Sequence, residues 1–485
     1  MNFAGLFFLL TAQYICGRGL LRMFRAELKP VPAFCLSMMT GVVLISFAPC
    51  FLQLFHQPIA AMPAIISVLA ITVLMSLPLL INFRKPQFKI PTMPLYYEWP
   101  FLLACTFFFL LAAWRSFYYP PYARDMLAGP DLLAEFAVRE HNMISSVYTI
   151  DLQSTNNYFK SPFITCLQIL YKLLVCPFGQ VWMVMISIPF YIWLYTLLRE
   201  RIHPLIAGFL LFFFITIPEV YSYSYIMLYD FDNMVFFFSG FYFLMRYLYK
   251  DQQKDFLFSA FLFGLATYIR TETVLMITML IPMLLLYFYR NHYPYLKMAK
   301  RLLLFIVIPA AFYVINIDVF VRLFVPLKLD ISSQVTDNLG NFAIILTRLR
   351  DIPALLVFSD EGLKLFGYFI ISFLVLLFAE TIFFRKFNRE SRILLYGILV
   401  VYLGLPLLGY LIPLVDLTNT TKRGLFKMLP LMLLFMSNSN SLQYLSGRIA
   451  AWQQKALLPV KPLQPVLKPG GNKGKEIKAK GRNMR

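Results

Sequence analysis

Residues Tyr119–Pro162 read YPPYARDMLAGPDLLAEFAVREHNMISSVYTIDLQSTNNYFKSP, the one long polar segment in a chain otherwise built of apolar runs. The segment carries Arg124, Asp125, Asp131, Glu135, Arg139, Glu140, His141 and Asp151, then passes through Asn156, Asn157, Tyr158, Phe159 and Lys160 into another apolar run. Around it the chain is 60% hydrophobic and 17% aromatic, with a mean hydropathy of +0.68. Soluble domains hold roughly 45–50% apolar residues, so a water-soluble fold is excluded. Runs of about 20 apolar residues recur, each long enough to cross a hydrocarbon core of roughly 30 Å as a helix whose backbone bonds itself. The chain reads as an all-α polytopic membrane protein. A charged loop opening on the bilayer surface points to an enzyme that works on a lipid-borne substrate.

Candidate spans cover 2–17, 31–55, 60–82, 99–117, 161–177, 180–198, 203–219, 231–248, 256–270, 273–289, 302–323, 363–384, 393–413 and 424–440. Basic clusters at Arg18–Lys29, Arg84–Lys89, Arg199–Arg201, Lys250–Lys254, Arg290–Arg301, Arg385–Arg392 and in the tail all belong in the cytoplasm by the positive-inside rule. That assignment requires an even number of crossings between Lys89 and Arg199, so one of 99–117, 161–177 and 180–198 does not cross. The weakest is 161–177, which opens on Ser161–Pro162, contains Lys172 and ends at Pro177–Phe178–Gly179. It reads as a helix in the outer interface, packed beside the charged loop. About thirteen spans then remain, and 118–179, 220–230, 270–272, 324–362 and 414–423 face outward together. Amphipathic periodicity around Phe342–Leu349 and Ile352–Phe358 predicts further juxtamembrane helix.

The organisation expected is an N-terminal group of extra spans over 1–98, a core over 99–440 with its active loop at 118–179, and a basic, disordered cytoplasmic tail over 441–485. After Leu457 the tail has repeated prolines and alternating Lys and Gly, too polar to bury a core. The net charge of +20 sits in short clusters between spans and in this tail, a pattern of topology and attraction to membrane lipids rather than of nucleic-acid binding. The apolar opening, Asn2–Cys16, lacks a basic segment before it and is followed by Arg18, Arg22 and Arg25, so it reads as a retained span. The six cysteines lie within or beside apolar runs without CxxC spacing, and no disulfide framework is expected.

Four outward elements carry charge. A helix begun at Pro130 puts Asp131 and Glu135, four residues apart, on one face; capping is the structural alternative for Asp131. Asp230 and Asp232 mark the outer end of a span after Tyr221, Tyr223, Tyr225 and Tyr229, where acids face either a cavity or the wet interface. Arg270 and Glu272 sit at a tight turn after Gly264–Ile269. An outer cation runs against the positive-inside bias and suits a phosphate held bidentately, or else a local ion pair. Lys422 and Arg423 are adjacent cations in the last outer segment, after an Asn419–Thr420–Thr421 sequon. With Lys160 and Arg270 they make four positive groups able to meet an anionic headgroup. His141 beside Glu140 makes a divalent metal conceivable, but no strong ligand spacing is present and no cofactor is certain. P-loop, GxSxG and HExxH patterns are absent.

Taken together, these elements resemble the GT-C superfamily of integral-membrane glycosyltransferases, and within it the branch of protein O-mannosyltransferases and bacterial lipid A aminoarabinose transferases. The resemblance runs from about residue 99 to 440. Pro130–Asp131 stands for the acidic motif of the first large outer loop, Tyr158–Phe159–Lys160–Ser161–Pro162 for a Tyr-Phe-Glu-Lys-Pro-Pro-like stretch, and Phe178–Gly179 for a terminal Phe-Gly. Asp232 or Asp230, Gly264–Thr271 with Arg270 at a family Lys, and Lys422–Phe426 follow in order. The Glu before Lys160 is missing, Phe426 replaces a Tyr, and no arginine follows Phe178–Gly179.

The resemblance implies a GT-C-type bundle and a multi-pass protein of the bacterial inner membrane with its active site outward. It implies sugar transfer from a polyprenyl-phosphate donor to a hydroxyl of a lipid, glycan or protein acceptor, with Asp131 as general base. Glu135 or Asp232 would orient the acceptor or a metal. Lys160, Arg270, Lys422 and Arg423 would hold the donor phosphate, and Tyr158, Asp230 and Glu272 would serve acceptor or sugar. Asp125 competes with Asp131 for the role of base. A flippase or exporter of lipid-linked sugars is the alternative outside enzymology, and would place charges near the midplane in repeated halves. An O-antigen polymerase-like enzyme shares outer-loop arginines.

Overall fold

The computed structural model describes residues 2–81, 95–121, 124–150, 161–176, 180–316, 320, 340–412 and 417–457. All regular structure among the described residues is helical, as the hydropathy demands, and the chain is an all-α polytopic membrane protein. Among the described residues seven helices are long and apolar enough to cross a membrane, or eight if the pair Asp360–Phe366 and Phe369–Phe384, bent by 93°, is one span. The bend falls at Gly367, whose φ of +56° suits a residue without a Cβ.

The expected thirteen spans exceed that count for physical reasons. Phe163–Leu174 and Pro204–Ile215 are apolar but only 12 residues long, about 18 Å at 1.5 Å per residue. The Tyr229–Lys250 helix has the length, 22 residues, but carries Asp230, Asp232, Asn233 and Arg246. It dilutes its hydropathy because protein rather than lipid surrounds it: nearly every residue from Tyr229 to Leu248 is buried. Phe190 meets Phe231 and Trp193 meets Phe238, at 6.2 and 5.5 Å between ring centroids, so the core of the bundle is largely aromatic.

The first helices pack into this core. Phe3–Met23 and Pro30–Ile45 approach so closely that a Cβ on Gly17 would sit 1.8 Å from the Ser37 carbonyl oxygen, and one on Gly41 1.8 Å from that of Gln13. Pro49 lacks the N–H that would reach the Ile45 carbonyl, and the chain changes helix at Ser46, between Pro30–Ile45 and Phe47–Leu54. Phe24 touches Phe258 and Phe261, and Glu27 pairs with Lys254 at 2.8 Å.

Phe163–Leu174 is too short to cross and packs beside the loop helix as expected, but protein rather than lipid surrounds it, which corrects that part of the reading. The helix is buried on almost every side. The Gln13 amide donates to the Tyr171 hydroxyl at 2.7 Å, and the Asn2 amide to the Val175 carbonyl at 2.8 Å, so the first helix covers it. The expected disordered tail is also corrected over its first part. Asn440–Leu457 is a helix whose start is fixed by the buried Glu380 carboxylate, which accepts from the Asn440 and Ser441 amides at 3.1 and 2.7 Å. Residues 458–485 lie outside the described residues. Helix over Ala343–Asp351, followed by a π-helical turn over Ile352–Val357, matches the periodicity read there.

Candidate active site

The loop helix runs Pro130–Arg139, with Pro at its first position, Asp131 in the first turn and Arg139 in the last, the order the helix dipole favours. His141, at φ +54°, stands just past its end. Leu133, Ala134 and Ala137 are buried, which leaves Asp131 and Glu135 on one face, as their spacing predicts. Both reach the same cation. Lys172 Nζ lies 3.0 Å from Asp131 Oδ1 and 3.1 Å from Glu135 Oε2, with 8% of its side chain exposed. Gln168 Nε2 donates to Asp131 at 2.9 Å, and Gln168 Oε1 accepts from the Trp182 indole at 2.8 Å. Burial pushes the Glu135 carboxyl up, but Lys172 and Arg139 outweigh it and hold the group below its usual range. Asp131 therefore locks the loop helix onto Phe163–Leu174.

A second cluster gathers the other three charged elements. Arg270 follows the Gln253–Ile269 helix as its C-cap, and its guanidinium pairs closely with Asp230 and at 2.8 Å with Glu272. Arg423 lies 3.1 Å from Asp125 and 3.8 Å from Asp230. Lys427 reaches Glu272 at 3.4 Å, and Lys422 reaches Glu219 at 3.0 Å. Asp125, Asp230, Arg270, Glu272, Arg423 and Lys427 thus form one continuous chain of ion pairs drawn from four segments. Burial works against the charge on Arg270 and Arg423, and the facing carboxylates override it, so both hold their protons more firmly than a free arginine.

Asn233 ties this end of the central helix to the turn, donating to the Ala266 carbonyl at 2.7 Å and the Thr273 hydroxyl at 2.8 Å. Asp232 is 1% exposed, and neither of its oxygens has a hydrogen-bond partner among the described residues. Tyr223 and Phe426 meet edge to face at 5.0 Å, and Arg115 stacks on Tyr119 and Tyr225 at 4.9 and 5.0 Å. Tyr229 donates to the Ser161 carbonyl and Tyr221 to that of Phe108, which gives these two tyrosines structural work.

Of the residues picked from sequence, Asp230, Glu272, Arg270 and Arg423 are brought together, with Lys422 paired to Glu219. Asp131 and Glu135 form their own group around Lys172. Tyr158 and Lys160 lie outside the described residues. His141 and Glu140 are engaged locally: the imidazole Nδ1 is 3.0 Å from the Ile59 carbonyl, and the carboxylate accepts from the Ser146 amide at 2.7 Å. No group of three or more His, Cys, Asp or Glu suited to a metal occurs among the described residues. Sequence reasoning passed over Glu219, Gln168 and Lys427 and used Lys172 only as an argument against crossing. The signal for both lysines was present, since an ionisable residue inside an apolar run needs a partner or a role.

Residues 175–313 match the family described as dolichyl-phosphate-mannose-protein mannosyltransferase, a GT-C-type glycosyltransferase domain. The matched stretch holds Glu219, Asp230, Asp232, Arg270 and Glu272, and ends before Lys422 and Arg423. It indicates a glycosyltransferase that uses a lipid-linked sugar donor. No curated protein and no solved structure matches the chain.

Proposed function

We propose that the chain transfers a sugar from a polyprenyl-phosphate donor to an acceptor hydroxyl, at the outward end of the bundle where Asp125, Asp230, Arg270 and Arg423 meet. The observation that carries this reading is the continuous ion-pair chain itself. Four segments far apart in sequence deliver cations suited to a phosphate and carboxylates suited to a hydroxyl to one place. The family match supports the lipid-linked donor.

The acceptor oxygen attacks the anomeric carbon, the bond from that carbon to the phosphate oxygen breaks, and the proton passes to a carboxylate. Asp125 is the favoured base. It keeps 50% of its side chain exposed, whereas Glu219, Asp230 and Glu272 keep 12%, 3% and 13%. A phosphate arriving at Arg423 competes with Asp125 for the guanidinium and so frees Asp125 towards the acceptor. Asp131, the base named from sequence, is 14% exposed and held by Lys172 and Gln168, which favours a positioning role. Arg270, oriented by Asp230 and Glu272, takes the charge that develops on the leaving phosphate, with Lys422 adding positive potential. A preorganised donor of this kind contributes about 2.7–4 kcal/mol. Asp232 remains an acceptor or sugar contact in this scheme.

The test is transfer of radiolabelled sugar from a panel of polyprenyl-phosphate donors, with acceptor supplied, in membranes holding matched amounts of wild type, Asp125→Asn or Asp131→Asn. Loss in Asp125→Asn with activity retained in Asp131→Asn is the expected result. The reverse pattern returns the role of base to Asp131, and no transfer by wild type from any donor overturns the reading.

A further inference from the structure

The central helix has a second charged end. Its 22 residues from Tyr229 to Lys250 span about 33 Å at 1.5 Å per residue, so Lys250 lies one hydrocarbon core away from Asp230. There a cavity of about 430 Å³ opens between helices, lined by Lys250, Asp251, Tyr287, Tyr293, Lys297 and Arg389 among others. That volume is in the range of small-ligand sites, roughly 300–1,000 Å³.

The lining carries three cations against one carboxylate. Asp251 is its one carboxylate, and it is already taken by the Tyr293 hydroxyl and by Arg301 at 3.3 Å. Lys297 lies over the Tyr293 ring at 5.1 Å, and Arg389 over Tyr249 and Tyr287 at 5.4 and 6.0 Å. Arg389 also donates to the Leu248 carbonyl at 2.6 Å. None of Lys250, Lys297 and Arg389 makes an ion pair within 4.0 Å among the described residues, although Lys250 acts on Asp255 at longer range. Three cations held around one open cavity repel one another and attract an anion.

We propose that this cavity binds a phosphate group, carried by the headgroup of an anionic lipid. The lipid source follows from position. The Tyr295–Val314 helix, which brings Lys297, turns Leu296, Leu303, Ile306 and Val307 outward, with exposures of 85%, 61%, 42% and 48%. This apolar track leads along the bilayer to the cavity and suits acyl chains, while tyrosines and basic residues at a bilayer interface suit the headgroup. Arg389 supplies the fork that matches phosphate oxygens.

The experiment uses the full chain in phosphatidylcholine nanodiscs with increasing phosphatidylglycerol, with retained lipid counted by native mass spectrometry and the thermal midpoint measured in parallel. Wild type is expected to retain phosphatidylglycerol and gain midpoint. Replacing Arg389 and Lys297 together by Gln is expected to weaken retention about ten-fold, the loss of a single charge-assisted contact being enough for that factor. Lys364→Gln removes one charge at an exposed position outside the cavity lining and off the Tyr295–Val314 helix, and should leave retention unchanged. Equal loss in Lys364→Gln, or no lipid retained by wild type, overturns the proposal. A midpoint gain from inorganic phosphate in pure phosphatidylcholine, without lipid retention, overturns the lipid source and assigns the cavity to a soluble phosphate.

Discussion

At the Asp230 end of the central helix, Arg270, Arg423, Lys422 and Lys427 each face a carboxylate. At the Lys250 end, three cations share a cavity whose single carboxylate is already bound by Arg301. The difference is instructive because both ends hold similar numbers of positive groups. Pairing fixes where each guanidinium points before substrate arrives, and so removes a reorganisation cost from the reaction. Leaving cations unpaired sacrifices that order and keeps a standing attraction for anions. The first arrangement suits chemistry and the second suits retention.

The comparison breaks most visibly at Asp125. Asp125→Asn should lower sugar transfer by about 10²–10⁴, the usual contribution of a positioned base, while the thermal midpoint stays put because the carboxylate is half exposed. A fall in midpoint matching the loss of rate would make Asp125 structural instead. Next in size is Arg270→Leu, which removes the nearest cation from Asp230 and Glu272, at 3% and 13% exposure, and leaves them only the longer contacts to Arg423 at 3.8 Å and Lys427 at 3.4 Å. Unfolding in detergent should show a loss of about 3–5 kcal/mol, part of it recovered on adding Asp230→Asn. An unchanged unfolding curve would mean the ion-pair chain does not hold this end together.

A smaller effect sharpens the contrast through its sign. Lys422→Gln leaves Glu219 without its cation in a site 12% exposed and should cost about 1–3 kcal/mol. Lys297→Gln at the other end, in the absence of anionic lipid and at low salt, should leave stability unchanged or slightly higher, since it relieves repulsion. The smallest effect belongs to Glu135. Its folded-state value lies below the ordinary 4.5, so the stabilisation from Lys172 and Arg139 is present above about pH 4.5 and disappears as the pH falls through the lower folded value. With 39% of the side chain exposed, the loss should stay under about 1 kcal/mol. Glu135→Gln should flatten the acid limb of the stability profile, and an acid limb identical to wild type would remove Glu135 from it.

Legibility followed the range of each interaction. The Pro130 start and the shared face of Asp131 and Glu135 were readable because helix geometry acts over four residues. The pairing of Arg270 with Glu272, two residues on, was within reach as well. Lys172 as the partner of Asp131 was not, because those residues are 41 positions apart and meet only when Phe163–Leu174 is buried beneath the first helix. The same holds for Asp125 and Arg423, joined across 298 positions. The hydropathy reading gives more spans than the seven or eight helices that meet the length and composition test among the described residues, because it credits short apolar helices such as Pro204–Ile215 and the charge-bearing Tyr229–Lys250.

The residue order settles the solvent this protein folds in, the helical class, the loop that carries acids, and the short-range partners, since all of these depend on properties that repeat within a few residues. Which carboxylate meets which cation, whether Asp125 or Asp131 stands at the charged cluster, and which basic residues are left unpaired were decided by packing. Ion pairing acts over a few ångströms, and only the assembled bundle brings distant segments within that distance.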